Sequence, residues 1–170
     1  VLAARDIIDL NRRMGNEFRT YDDLVALYER QPNLSVRTST SVKEQAYSTP
    51  APLAYVASRL AGITENTSVY EPTAGNGMLL IGADPKKVVA NELNPTRFEV
   101  LKRVLPDAEV VNKNALTYSP ELSDVIIANP PFGAIGEELN VHGKKTREID
   151  HAIAYHALTR MPVDGRAVLI

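Results

Sequence analysis

The sequence predicts an α/β fold, with a mostly parallel, doubly wound sheet preceded by a short helical extension. Three observations lead there. From residue 68 onward, short apolar runs alternate with segments of helical period. One run, Asp124-Val125-Ile126-Ile127-Ala128, is almost wholly apolar, as strands buried on both faces are. The intervening segments are long enough for helical crossovers, which make neighbouring strands parallel.

The elements follow in order. Ala3, Ile7, Leu10 and Met14 recur at helical spacing, and Gly15-Asn16 marks a stop. Thr20 with Asp23 resembles a capping box for a second helix with Leu24, Leu27 and Tyr28 on its apolar face, ended by Pro32. Residues 33–49 are rich in Ser and Thr and predict a connecting segment. Thr49 and Pro50 predict the N-cap and first turn of a third helix that Gly62 closes. Strands are expected at Ser68-Val69-Tyr70-Glu71, Val88-Val89-Ala90-Asn91-Glu92, Ala108 to Val111, Asp124 to Ala128, and from Arg166. Asn94-Pro95 caps a helix carrying Phe98, Leu101, Val104 and Leu105, and a last helix runs from about Ile149 to Met161. Residues 133–148, with three glycines and the basic Lys144, Lys145 and Arg147, predict a loop able to close over substrate or touch phosphates. The organisation is a helical extension over 1–45 and an α/β domain over 46–170. The chain stops in an apolar run, Ala167-Val168-Leu169-Ile170, so further strands are expected after the fifth.

Bulk properties narrow the function. With no cysteine, a disulfide scaffold, a thiolate metal site and a cysteine nucleophile are excluded, and three scattered histidines do not outline a zinc site. No apolar run approaches a membrane span. The net charge of -2 means that any grip on nucleic acid must come from a local patch or from other sequence. His151 and His156 read as helix-surface or partly packed residues.

In a doubly wound sheet, ligands bind beyond the carboxyl ends of the strands. After the first strand comes Glu71-Pro72-Thr73-Ala74-Gly75-Asn76-Gly77, whose glycines permit a tight turn and close approach of a ligand. It is neither a P-loop nor a complete dinucleotide fingerprint, and a mere strand-to-helix corner would look similar. The second strand ends in Glu92, about 20 residues beyond the first. An acid there is placed to accept from ribose hydroxyls, so the pair points to an adenosine-containing ligand.

The fourth strand ends in Asn129-Pro130-Pro131-Phe132, the most informative segment. The prolines fix their own backbone and hold Asn129 extended. An aromatic amine is a poor nucleophile because its lone pair is delocalised into the ring. A carboxamide oxygen and a rigid carbonyl accepting from its N–H groups would localise that lone pair toward an incoming methyl. Phe132 could hold the planar substrate by stacking.

Together, Tyr70-Glu71-Pro72-Thr73-Ala74-Gly75-Asn76-Gly77 and Asn129-Pro130-Pro131-Phe132 resemble the two diagnostic motifs of adenine-N6 DNA methyltransferases. Gln45-Ala46-Tyr47-Ser48-Thr49-Pro50 resembles a further cofactor motif of that family, and its position before the glycine turn resembles the gamma-type order. The resemblance covers about residues 45–170. It implies a Rossmann-like S-adenosylmethionine-dependent methyltransferase fold, DNA as partner, and no metal or membrane. A cytoplasmic protein of prokaryotic, phage or plasmid origin is also implied. Tyr47, Thr49, Glu71, Pro72, Thr73, Ala74, Gly75 and Gly77 would line the cofactor, with Thr49 near its methionine end. Glu92 would hold the ribose hydroxyls, and Leu93 would pack on the adenine. Asn129 and the Pro130 carbonyl would take the target amine, with Pro131 completing the turn and Phe132 stacking on a flipped base. Asn114 stands where the family commonly has an aspartate for the cofactor's adenine amine. Alternatives are methylation of a protein glutamine or RNA guanine amine by the same turn, or a non-catalytic cofactor-binding module.

Overall fold

The computed structural model describes residues 1–31 and 48–170. Tyr47, Pro32 and most of the Ser/Thr-rich connection lie outside the described residues.

Two helices open the chain, α1 (Leu2–Arg13) and α2 (Thr20–Glu29), separated by a single 3-10 turn at Glu17–Arg19. Gly15 has φ +68 just beyond α1, as expected for the left-handed residue that ends a helix. The capping box at Thr20 does not form. Thr20 is buried inside α2, and Asp23 accepts instead from Asn11 Nδ2 at 2.8 Å. A tertiary partner outcompetes the local one. Helix α3 (Ala51–Leu60) has Pro50, not Thr49, as its N-cap, because the Thr49 hydroxyl faces Asn129 instead. Gly62 follows α3 with φ +71.

All five strands of the main sheet are parallel: β1 (Val69–Glu71), β2 (Val88–Asn91), β3 (Glu109–Val111), β4 (Val125–Ala128) and, after the hairpin below, β7 (Arg166–Leu169), in the order β3-β2-β1-β4-β7. The sheet grows outward from β1 to β3, then resumes on the other side of β1 with β4. The switch point therefore lies between β1 and β4, where the glycine turn and the Asn129 turn both emerge. Every residue of β4 is buried, as its apolar run requires.

Not every crossover is a helix. Between β1 and β2 the chain makes two 3-10 turns, Met78–Leu80 and Pro85–Lys87, and α3 packs on the first. Helix α4 (Pro95–Val104) joins β2 to β3, and its N-cap Asn94 accepts from Arg97 N at 3.1 Å. Leu24, Ala51, Ala54, Val69, Leu80, Leu101 and Ile127 belong to a single core, so the N-terminal helices and the sheet share it. Arg5 ties them further by donating to the carbonyls of Leu80 and Ala83, each at 3.1 Å.

Residues 133–148 depart from the expected loop. They form an antiparallel hairpin, β5 (Ala134–Val141) and β6 (Lys144–Glu148). The turn residues His142 and Gly143 have φ of 49 and 82, the two successive positive values of a tight two-residue hairpin turn. Gly136, the adjacent Glu137 and Glu138, and an irregularity in pairing between Ala134 and Leu139 obscure the strand alternation in the sequence. The hairpin packs on helix α5 (Ile149–Leu158), not over the strand ends. His142 Nε2 lies 3.0 Å from His156 Nδ1. His156 Nε2 donates to the Tyr118 carbonyl at 3.0 Å, which leaves Nδ1 as the acceptor for His142. His156 is thus a buried docking residue.

Candidate active site

At the switch point a cavity of ≈ 400 Å³ opens beside the strand ends. That is within the range of small-molecule sites. It brings together Thr73 and Gly75 of the glycine turn, Glu92 and Leu93 after β2, Asn114 after β3, and Asn129 and Pro131 after β4. Ile149 and Ile153 of α5 supply an apolar wall. A smaller polar recess of ≈ 20 Å³ adjoins it, lined by Thr49, Glu71, Thr73, Ala74, Gly75 and Asn129 among others.

The glycine turn is fixed at several points. Ala74 N donates to the Asn91 carbonyl at 2.8 Å, and Gly77 N to the Ala74 carbonyl at 2.7 Å. Gly77 has φ +79, and a Cβ there would lie 2.8 Å from Leu101 Cδ1 and 3.2 Å from Leu105 Cδ1. Gly77→Ala is therefore expected to destabilise the protein by roughly 2–5 kcal/mol, combining left-handed strain of about 1–2 with overpacking of about 1–3. Urea denaturation of both proteins measures it. Pro72 is buried at the head of the turn.

Glu92 is 2% exposed and well partnered. Its Oε2 accepts from Gly75 N at 2.8 Å. Its Oε1 accepts from Asn94 N and from Arg97 Nη2, both at 2.8 Å. The carboxylate thus retains about one lone-pair site of its four for a ligand hydroxyl. Arg97 was not foreseen. It occupies the first turn of α4, immediately beyond the acid, and its position three residues after the Asn94 cap was the available signal. Asn91 was also missed. Its Nδ2 donates to the carbonyls of Pro72 and Lys113 at 2.9 and 3.0 Å, and its Oδ1 accepts from Lys113 N at 2.9 Å. It clamps the two loops on either side of the cavity, and a polar residue closing an apolar strand was its signature. Asn112 Nδ2 donates to the carbonyls of Glu92 and Leu93 at 2.7 and 2.8 Å. This leaves the Leu93 side chain exposed on the rim.

Glu71 differs sharply from Glu92. It is buried, and its Oε2 has no hydrogen-bond partner among the described residues. Burial first, and the negative charge of Glu92 second, hold its carboxyl well above the usual carboxylate range. Thr73 Oγ1 is likewise buried without a partner among the described residues. Both residues line the polar recess.

Asn129 Nδ2 donates to Thr49 Oγ1 at 3.2 Å, across 80 residues of sequence. Next to it, Asn76 Nδ2 donates to Ser48 Oγ at 3.0 Å. Adjacent hydroxyls of one segment thus receive amide groups from both turns. Pro130 is buried, whereas Phe132 is 52% exposed. Asn114 Oδ1 already accepts from Leu116 N at 2.9 Å. Of the residues expected from the sequence, Thr49, Glu71, Pro72, Thr73, Ala74, Gly75, Glu92, Leu93, Asn114, Asn129 and Pro131 line the cavity or the recess, whereas Gly77, Pro130 and Phe132 do not. The histidines do not line the cavity, and no cluster of metal-binding side chains occurs among the described residues. No helix among the described residues is long and apolar enough to cross a membrane.

The sequence matches no family model and no curated protein. Solved structures are informative about the fold. A protein from Pyrococcus horikoshii designated an RNA methyltransferase is 23% identical over 85% of this chain and 70% of its own, with a TM-score of 0.57. TrmN from Thermus thermophilus is 23% identical over 80% of this chain and 43% of its own, with a TM-score of 0.54. A Vibrio vulnificus protein designated the modification subunit of a type I restriction enzyme is 18% identical, covering 94% of this chain and 39% of its own, with a TM-score of 0.57. The chain thus spans less than half the length of the last two, and it has the Rossmann-like fold of S-adenosylmethionine-dependent methyltransferases.

Proposed function

We propose that this chain carries the cofactor-binding and catalytic part of a methyltransferase that uses S-adenosylmethionine to methylate the N6 amine of adenine in DNA. One observation carries the reading. A single cavity at the switch point is lined by the glycine turn, Glu92 and the Asn129 turn together.

The residues present fit the cofactor. Glu71 Oε2 and Thr73 Oγ1 are orphaned polar atoms of the kind a bound ammonium or carboxylate would satisfy. Glu92 retains capacity for a ribose hydroxyl, and Leu93 and Ile153 offer apolar surface to an adenine ring. The bound cofactor supplies an electrophilic methyl group. Asn129 Oδ1 and the Pro130 carbonyl accept the two N–H groups of the target amine and turn its lone pair toward that methyl. Phe132 stacks on the extruded base. Held in line by Asn129 and Pro130, the amine nitrogen would bond to the methyl carbon as the carbon–sulfur bond breaks to leave a neutral thioether, and its surplus proton would pass to water. Much of the rate advantage is positional.

DNA is favoured over other acceptors by the Glu71–Gly77 turn beside Asn129-Pro130-Pro131-Phe132. The test is incubation with labelled S-adenosylmethionine and, separately, DNA, RNA and protein acceptors. Recovery of N6-methyladenine from DNA is the expected result. Label in glutamine or guanine, or in no acceptor, would overturn it.

Asn114 yields a second expectation. An aspartate could keep one oxygen on Leu116 N and offer the other to the cofactor's adenine amine. Asn114→Asp should therefore tighten S-adenosylmethionine binding by about two- to tenfold, the worth of one net hydrogen bond of roughly 0.5–1.5 kcal/mol. Isothermal titration of both proteins measures it.

A further inference from the structure

The Asn129 side chain can do its proposed work only in one orientation. Its amide has an oxygen end and a nitrogen end of nearly the same shape. If the oxygen faces the target, the site takes an N–H donor. If the nitrogen faces it, the site presents a donor to the amine and opposes it. Asn129 is half-buried at the end of β4, and the two prolines that follow fix its backbone but not its last torsion.

The last torsion is held by the Thr49 hydroxyl, which stands at the amide. It is 3.2 Å from Asn129 Nδ2. Thr49 itself is 7% exposed. It comes just before Pro50, the N-cap of α3, and α3 is packed into the core through Ala51 and Ala54. Its neighbour Ser48 accepts from Asn76 Nδ2 at 3.0 Å, and Asn76 Oδ1 in turn accepts from Met78 N at 3.2 Å. The strap is therefore anchored at both ends, and the position of the Thr49 oxygen is set by the fold rather than by a ligand.

We infer that Thr49 is a positioning residue for Asn129. In this arrangement Nδ2 faces the Thr49 hydroxyl at 3.2 Å, and the contact holds the amide with its oxygen left to accept an N–H group of the substrate. This rests on the methyltransferase reading of the cavity. The contact needs a hydroxyl, so serine can substitute and valine, nearly the same shape, cannot.

The experiment compares Thr49→Val and Thr49→Ser with the parent chain. Three quantities are read: kcat for methyl transfer, the dissociation constant of S-adenosylmethionine, and the side-chain amide NMR signals of Asn129. Those signals are assigned by their loss in Asn129→Asp. Thr49→Val is expected to lower kcat by roughly ten- to a hundredfold, the effect of a misplaced catalytic group. Any loss of cofactor affinity should be smaller than the loss of kcat, and the Asn129 amide protons should shift and exchange faster with solvent. Thr49→Ser should restore all three. An unmoved amide pair in Thr49→Val overturns the inference whatever the activity. So does a shifted pair with unchanged kcat, or a loss confined to cofactor affinity. A parent chain that transfers methyl to no acceptor, while the amide pair still responds to Thr49→Val, overturns the proposed function and leaves the amide orientation supported.

Discussion

Asn129→Ala should abolish most methyl transfer while leaving the fold and much of the cofactor affinity in place. The Asn129 oxygen has value mainly in the transition state, when the lone pair of the amine is withdrawn from the ring and its N–H groups become more acidic. Removing one pre-positioned hydrogen-bonding group of this kind costs roughly 10²–10³ in kcat. The structural cost is small by comparison. Asn129 is half-buried, and its side chain makes one hydrogen bond to Thr49. Alanine thus removes about 1 kcal/mol of net stabilisation. Single-turnover rates together with thermal melts separate the two effects. A variant that melts near the parent temperature and has lost at least a hundredfold in rate is the expected outcome. Full activity in Asn129→Ala would remove the foundation of the proposed function.

Much of this site could be read from the sequence because its residues follow strands, and strands here are announced by apolar runs. Val125 to Ala128 is buried throughout, so the location of Asn129 at a strand end followed from composition alone. The Asn94 cap and the left-handed Gly62 and Gly77 were likewise set by local chemistry. What escaped depends on contacts far apart in the chain. Thr49 looks like an N-cap because Ser and Thr before a proline usually cap, and only the fold brings Asn129 within reach of its hydroxyl. Thr20 and Asp23 fail as a capping box for the same reason. Glu92 was identified as an acid at a strand end, but its link to Arg97 requires the helix that follows to be in place. The hairpin at residues 134–148 was hidden because it packs one face on α5 and leaves charges on the other, so its apolar signal is thin.

Glu71→Gln is expected to move stability and ligand affinity in opposite directions. Glu71 is buried at the end of β1, with Oε2 unpartnered among the described residues. Desolvation, reinforced by the charge of Glu92, raises its folded-state pKa well above the usual carboxylate range. Glu92 itself accepts from Arg97 and from two backbone N–H groups. The sign follows from linkage. Between the unfolded pKa and the raised folded one, the unfolded chain has released a proton that the folded chain retains, so stability falls as pH rises. The contribution is fully present below the unfolded value and lost as pH passes through the folded value. Glutamine does not titrate. The variant should therefore lack this decline and be more stable than the parent at neutral and higher pH. Urea midpoints of both proteins across that range measure it. Cofactor binding should change the other way. The ammonium of the methionine end would favour ionisation of Glu71, whose proton passes to solvent, and would pair with the carboxylate in a charge-assisted bond worth about 1.5–3 kcal/mol. Glutamine forfeits that, so S-adenosylmethionine should bind roughly tenfold or more weakly. A purely structural Glu71 would alter stability and leave the affinity alone, whereas a gain in stability joined to a loss in affinity identifies a carboxyl held in readiness for a cation.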